Sequence, residues 1–510
     1  MGQNLRARLQ RIREAGKQIA ATSPQETAPE DSPVPDVSQP RVAPEARGEG
    51  IAAQNPPSLT ADSPLFHSSF VESGFQTLKR TVLLDIPLAL PPALPAALPI
   101  LIPDLRRYRR ERDAGQAEQA GYAKHTGYAE HTVNPRDLLF FDLETTGLSG
   151  GAGTVAFLAA FGRFVPPSGE AMSSVGKIPW KLHITQYLLL DYPGEGDFLE
   201  AALGEFSPDP GCRPQGADLS ASQGFPLIVS YNGKSFDSQI LKTRCLMNGM
   251  KPPVYAHADL LHPARRLWKR VLSDCSQATI ETEILGLDRT GDVSGAMAPE
   301  IWFDFLKNND AAPLLGICDH NLKDIQGLAV IFSSLSQIAA DPLAAMDTFR
   351  VDCEQLALRW RDALRREPCF GEDEARGELM AAQGRLMAAA QGEERRLGER
   401  LLERAAERGG PRAAYVLALD LIRRGRAGEG REKLQALAAG DPPGEVKGLA
   451  WRQLAIDAEW RLRDAGAALS YVEKALALEN NRESLQKELA ARRERLLLKG
   501  NEKRGVWHEG

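Results

Sequence analysis

The sequence predicts a chain in three parts: a disordered N-terminal tail, an α/β domain with a mixed sheet flanked by helices, and an all-α C-terminal region. Three observations lead there. Residues 1–135 are rich in Pro, Ala, Ser and Glu and offer little to bury. Between residues 136 and 336, short apolar runs of strand length alternate with segments of helical periodicity. Beyond residue 336 Ala, Leu, Arg and Glu dominate, the composition of stacked helices.

The bulk numbers are consistent with that division. A chain of 510 residues exceeds one ordinary core, so two or three domains are expected. The net charge of −6 gives no global basic field, so a polyanionic partner must be held by a local patch or through metal. The six cysteines (212, 245, 275, 318, 353 and 369) contain no C-x-x-C pair. That argues against a zinc knuckle or disulfide framework and fits a reducing cytoplasm. Arg6, Arg8, Arg11 and Arg13 are followed by no apolar core of a signal peptide.

Within the tail, Leu5–Ile19 has the pattern of a short amphipathic helix. Leu83–Leu105 is apolar enough to resemble a membrane span, but Pro87, Pro91, Pro92, Pro95, Pro99 and Pro103 interrupt it. Each would remove a helical hydrogen bond that lipid cannot replace, so no membrane partner is expected. The segment reads as a polyproline-like stretch, docked on a surface or mobile. Gly121–Thr126 and Gly127–Thr132 form a tandem duplication that reads as linker. On this reading, removal of the tail leaves the folded domain intact.

In the α/β domain, Leu138–Leu143, Thr154–Phe164, Ile184–Leu190 and Pro226–Tyr231 read as strands. Glycines 147, 150, 151 and 153 suit a hairpin between the first two. Phe198–Phe206, Phe236–Asn248, Leu260–Leu272, Ile280–Leu285 and Ala312–Leu335 read as helices. Residues 337–400 read as a helical linker and 401–500 as helical repeats. There Trp451, Leu454, Ala455, Ala468, Tyr471 and Ala475 follow the small/large spacing of a tetratricopeptide unit, and Ala413–Ala439 forms a weaker one before it. An ordinary helical bundle explains the same pattern.

The chemistry starts at the first strand. Asp142 and Glu144 interrupt its apolar run, and side chains at i and i+2 of a strand share a face. Two adjacent carboxylates repel unless a cation lies between them. Asp237, in Tyr231-Asn-Gly-Lys-Ser-Phe-Asp237, falls just inside a helix N-terminus. The helix dipole alone would explain a carboxylate there. His320 and Asp324, four residues apart, share one face of a helix, as a surface ion pair also would. Taken together, Asp142, Glu144, Asp237 and Asp324 give an all-oxygen donor set suited to Mg²⁺ or Mn²⁺. Two such ions can hold a phosphodiester, activate water and stabilise the leaving oxygen. His320 is then placed to take the proton from the attacking water.

The stretches FDLETTGL, YNGKSFDSQIL and HNLKD resemble the three exonuclease motifs of the DEDD superfamily, which has a ribonuclease H-like fold. More narrowly, DLETTGLSGGAGTVAFL, VSYNGKSFDSQIL, DLLHPARRLWKRVL and HNLKDI are similar to the YprB-type branch, a predicted exonuclease group. The resemblance implies 3′–5′ exonuclease activity and, at matching positions, metal ligation by Asp142, Glu144, Asp237 and Asp324. One departure stands out. The histidine version of the superfamily spaces its base H-x4-D and the tyrosine version Y-x3-D, whereas His320 has the tyrosine-like spacing to Asp324.

Residues 262–270 gather Arg265, Arg266, Lys269 and Arg270 around Trp268, a cluster that can contact phosphates and stack a base, or simply be a solvated helix face. Thr145, Asn232 and Lys234 beside the acids are further candidate nucleic-acid contacts, although a turn before Gly233 also explains Asn232. The expected activity is metal-dependent exonucleolysis of single-stranded DNA or RNA, with the C-terminal helices recruiting a protein. The competing reading is a catalytically silent nucleic-acid-binding or scaffold protein.

Overall fold

In a computed structural model, the described residues are 59, 63–88, 90, 94–108, 133–147, 153–166, 180–206, 226–366, 378–479 and 481–505. The expected helix Leu5–Ile19 and the duplication at Gly121 and Gly127 lie outside them. Seven strands form one mixed sheet: β1 (Phe70–Gly74), β2 (Thr77–Asp85), β3 (Leu138–Thr145), β4 (Ala156–Val165), β5 (Lys181–Leu189), β6 (Leu227–Ser230) and β7 (Ala256–Asp259), in the order β1-β2-β5-β4-β3-β6-β7. Strand β3 pairs antiparallel with β4 and parallel with β6. It therefore lies at the junction of the antiparallel and parallel parts.

Helices cover both faces. They are α1 (Pro64–His67), α2 (Leu98–Leu101), α3 (Glu195–Gly204), α4 (Asp237–Met247), α5 (Leu261–Trp268), α6 (Gln277–Glu283), α7 (Ala298–Asn308) and α8 (Ala312–Ala340). The alternation in β3 decides what faces what. Leu138 and Phe140 join a core with Ile325, Leu328 and Phe332 of α8, whereas Leu139, Phe141 and Leu143 join the opposite one. Burial on both faces is why the strand reads as a continuous apolar run. Asp142 and Glu144 continue the series of Leu138 and Phe140, so they emerge on the face that α8 crosses. Gly162 of β4 lets that helix come close, since a Cβ there would stand 2.6 Å from Ile325 Cγ2.

The N-terminal tail was expected to be mostly disordered, and for the described residues between 63 and 108 the structure corrects this. Strand β2 pairs with β5 from Thr77↔Leu189 to Asp85↔Lys181, and β1 extends the edge. The proline-rich stretch packs as well: Leu90, Leu94, Leu98, Leu101, Ile102 and Leu105 are buried in the α8-side core. Proline spacing does forbid a long helix: Leu98–Leu101 forms the single turn α2, and helix resumes only at Asp104, after the last proline. The leucines between the prolines nevertheless recur every three or four residues and bury together. Composition averaged over 135 residues hid that pattern.

The C-terminal region is helical, as expected: α9 (Pro342–Thr348), α10 (Cys353–Arg366), α11 (Glu378–Glu407), α12 (Pro411–Arg423), α13 (Ala427–Ala439), α14 (Gly444–Asp457), α15 (Ala465–Leu476) and α16 (Glu483–Gly505). Within the segment read as a helical linker, residues 346–360 pack into a core. Met346, Phe349, Val351, Leu356, Ala357, Trp360, Leu401 and Leu402 share one buried cluster with Leu267 and Trp268 of α5. Farther on, Trp451 stacks on Tyr471 at 5.5 Å, and Lys474 lies over the Trp451 ring. No helix among the described residues is long and apolar enough to cross a membrane.

Candidate metal centre

Three elements bring the acids together. The end of β3 supplies Asp142 and Glu144, the first turn of α4 supplies Asp237, and the middle of α8 supplies His320 and Asp324. Asp237 is only 5% exposed, and Glu144 is buried too. Glu144, His320 and Asp324 each offer a ligand atom, all lying within 4.8 Å of one another. His320 Nε2 is 3.3 Å from Asp324 Oδ2 and 4.0 Å from Glu144 Oε1. The short His320–Asp324 spacing thus still turns the imidazole toward the acids, because one helical turn separates the two residues.

Burial and mutual repulsion set the electrostatics. Burial first, then the charges of Asp237, Asp324 and Glu144, push the Asp142 carboxyl well above the ordinary range, against a hydrogen bond from Asn321. Burial, then Asp324 and Asp237, push Glu144 up as well. Burial raises Asp237 to about 7, opposed by its own amide and that of Leu143 and reinforced by Asp259. A cation between these groups would relieve both the desolvation cost and the repulsion. The carboxylates suit a hard divalent ion, and the His320 imidazole stands beside them.

A stability measurement follows from these shifts. An unfolded carboxyl titrates near pH 4. Asp237 in the folded protein titrates near 7, so between those values the folded state holds a proton that the unfolded state has released. The stability it contributes is fully present below about pH 4 and is lost as pH rises through about 7. In EDTA, Tm should therefore fall from pH 5 to pH 8, and fall less in Asp237→Asn. Mg²⁺ should raise Tm more at pH 8 than at pH 5. Equal pH slopes for the two proteins would contradict this origin.

Several supporting residues carry no signal at fixed spacing and were missed in the sequence. Asn321, fully buried, donates to Asp142 Oδ2 at 2.8 Å and accepts from Gln186 Nε2 at 2.9 Å. Gln186 Oε1 in turn accepts from Arg80 Nε at 2.8 Å, so a buried polar chain runs from β2 to the first acid. Asp259, at the end of β7, accepts the backbone amides of Asn232 and Lys234 at 2.8 and 3.2 Å. Those bonds hold Asn232 in its left-handed conformation, φ 66°, and aim the chain into α4. His257, held between the Ser230 and Ser238 hydroxyls, is pushed down to about 4 by burial and Lys234, and so stays neutral. Arg289 reaches Asp324, Asp292 and Glu281, and Asp292 also meets His320.

The expected nucleic-acid contacts fare unevenly. Thr145 is buried and its hydroxyl donates to the Gly147 carbonyl at 2.9 Å, shaping the turn after β3 rather than facing a ligand. Trp268 is fully buried and its indole donates to the Phe349 carbonyl, so it stacks on no base. The apolar face of α5 docks on the C-terminal helices, a partner the sequence did not reveal. Arg270 pairs with Asp352 and Glu354. Lys234 pairs with Asp104 at 2.7 Å. Asn232, Arg265 and Lys269 are exposed and Arg266 is half-buried. Arg265 is close enough to Tyr231, the residue before Asn232, to act on it electrostatically.

Comparison with known proteins agrees with this topology. Residues 139–336 match the family RNase_H_2, described as RNase_H superfamily. Over 208 residues the chain is 35% identical to the protein named "Uncharacterized protein YprB" of Bacillus subtilis (strain 168). The match covers 40% of this chain and 43% of that relative, so less than half of either protein is shared. With a five-strand core β5-β4-β3-β6-β7 and α8 laid across β3, residues 139–336 have a ribonuclease H-like fold, and it is this part of the chain that is similar to the RNase_H superfamily.

Proposed function

We propose that this chain is a metal-dependent 3′–5′ exonuclease that hydrolyses single-stranded DNA or RNA. The observation that carries the reading is that Glu144, Asp324 and the His320 imidazole offer ligand atoms within 4.8 Å of one another, with Asp142 and Asp237 close enough to act on them electrostatically. Two Mg²⁺ or Mn²⁺ ions held by those four carboxylates would supply charge neutralisation, water activation and stabilisation of the leaving oxygen. The protein's own groups do the rest. His320 Nε2 takes the proton from the attacking water. Asn232, Lys234, Arg265, Arg266 and Lys269 hold the phosphate backbone, with Lys234 exchanging Asp104 for a phosphate. The paired helices α12–α15 act as a tetratricopeptide-like platform for a protein partner. The free thiols Cys245, Cys275, Cys318 and Cys353 suit a reducing cytoplasm.

Two experiments test this reading. A single-stranded oligonucleotide labelled at its 5′ end should give a ladder of shortening products in Mg²⁺ or Mn²⁺. The same strand labelled at its 3′ end should release labelled mononucleotide at once. The reverse pattern would overturn the polarity, and binding without cleavage would favour a silent nucleic-acid-binding protein. For the base, His320→Gln should lower turnover by roughly 10²–10⁴-fold, the range of general acid–base catalysis. Wild-type turnover in that variant would leave His320 a positioning role only.

A further inference from the structure

The two ring nitrogens of His320 face different groups. Nε2 points to the acid cluster, while Nδ1 lies 3.0 Å from Asp292 Oδ2. Asp292 lies in the segment between α6 and α7, far from every acidic motif in the sequence. It is itself held from two sides: Arg289 donates to the same Oδ2 at 2.8 Å, and Lys323 Nζ lies 3.4 Å from Oδ1. Arg289 is anchored in turn by Glu281, which is almost fully buried, and by Asp324. The same segment then passes over the imidazole at Gly295, where a Cβ would stand 3.0 Å from His320 Nε2 and 3.7 Å from Glu144 Oε1. A side chain at that position would crowd the nitrogen.

A neutral imidazole carries one N–H, and an ionised carboxylate can only accept. The hydrogen bond at one ring nitrogen thereby decides which nitrogen keeps the lone pair. We propose that Asp292, fixed by Arg289, is a positioning residue that holds His320 as the Nδ1–H tautomer and leaves the Nε2 lone pair facing the acid cluster. This rests on the reading of His320 as the base. The alternative is that Asp292 only closes the ion pair with Arg289 and has no bearing on the imidazole.

The test reads the tautomer directly. The full chain, labelled with ¹⁵N-histidine and held in Mg²⁺ buffer at a pH where the ring is neutral, is measured by long-range ¹H–¹⁵N correlation. The signal of His320, one of eight histidines, is the one lost in His320→Gln. Wild type should show Nδ1 protonated and Nε2 bare. Asp292→Ala should shift the ring toward Nε2–H and lower kcat by about 10–100-fold, the usual cost of losing a supporting group, with KM little changed. Asp292→Asn, whose amide oxygen can still accept from Nδ1–H, should restore the wild-type tautomer and most of kcat. An Nε2–H signal in wild type overturns the proposal without any variant, and so does an unmoved tautomer in Asp292→Ala. If the tautomer moves while kcat does not, Asp292 positions the ring as proposed and the reading of His320 as base fails.

Discussion

Asp142→Asn and Asp237→Asn are each expected to abolish phosphodiester hydrolysis while the protein stays folded. Loss of a group that only supports a metal ligand costs about 10–100-fold. These carboxylates are the ligands themselves in the proposed site, so the loss should exceed that range. The variants keep the shape of the side chain, and Asp142→Asn retains an oxygen to accept from Asn321. What disappears is one of several buried negative charges that raise each other's pKa. Removing it relieves repulsion. In EDTA at pH 8 both variants should therefore melt no lower than wild type, while the gain in Tm on adding Mg²⁺ should shrink. A folded Asp142→Asn protein with full activity would end the metal-centre reading. A variant that unfolds would show instead that the acids serve the core.

Deletion of residues 1–90 is expected to give insoluble or unfolded protein, whereas deletion of residues 1–58 should leave fold and turnover close to wild type. The longer deletion strips β1 and β2 from the sheet and exposes β5 over the whole length of its pairing with β2. It removes Leu65, Phe70, Leu78 and Leu90 from the two cores. Each such side chain contributes about 1.5–3 kcal/mol by burial, against a net stability of only about 5–15 kcal/mol for a typical domain. It also removes Arg80, the far end of the polar chain that reaches Asp142 through Gln186 and Asn321. Circular dichroism melts of the two truncations decide the matter. A cooperative, wild-type-like transition after the longer deletion would show that the two edge strands are dispensable.

The contrast between Asp142 and Arg80 shows why some of the site could be read from sequence and some could not. Asp142, Glu144, Asp237, His320 and Asp324 each sit at a fixed offset within a single strand or helix. Local periodicity therefore revealed which face each one shares. Their convergence needed only the strand β3, the start of the helix after β6 and the helix that crosses β3. Arg80, Gln186, Asp259, Asp292 and Arg289 act across elements far apart in the chain, as in the contact of Arg80 with Asp319 of α8. No local spacing encodes such contacts. Trp268 illustrates the opposite error: beside four cations it resembled a stacking residue, but the apolar face of α5 is covered by the C-terminal helices. Whether an amphipathic face meets solvent, nucleic acid or protein is decided by packing partners outside the motif.

All of the proposed chemistry depends on the carboxylates of β3, α4 and α8 acting as one divalent-metal centre for phosphodiester hydrolysis. The decisive experiment is cleavage of a labelled single-stranded oligonucleotide by purified wild type and Asp237→Asn in parallel, each in Mn²⁺ and in EDTA. Cleavage by wild type in Mn²⁺, with none in EDTA and none by Asp237→Asn in either condition, is the expected outcome. Equal cleavage by Asp237→Asn, or by wild type in EDTA, would contradict it.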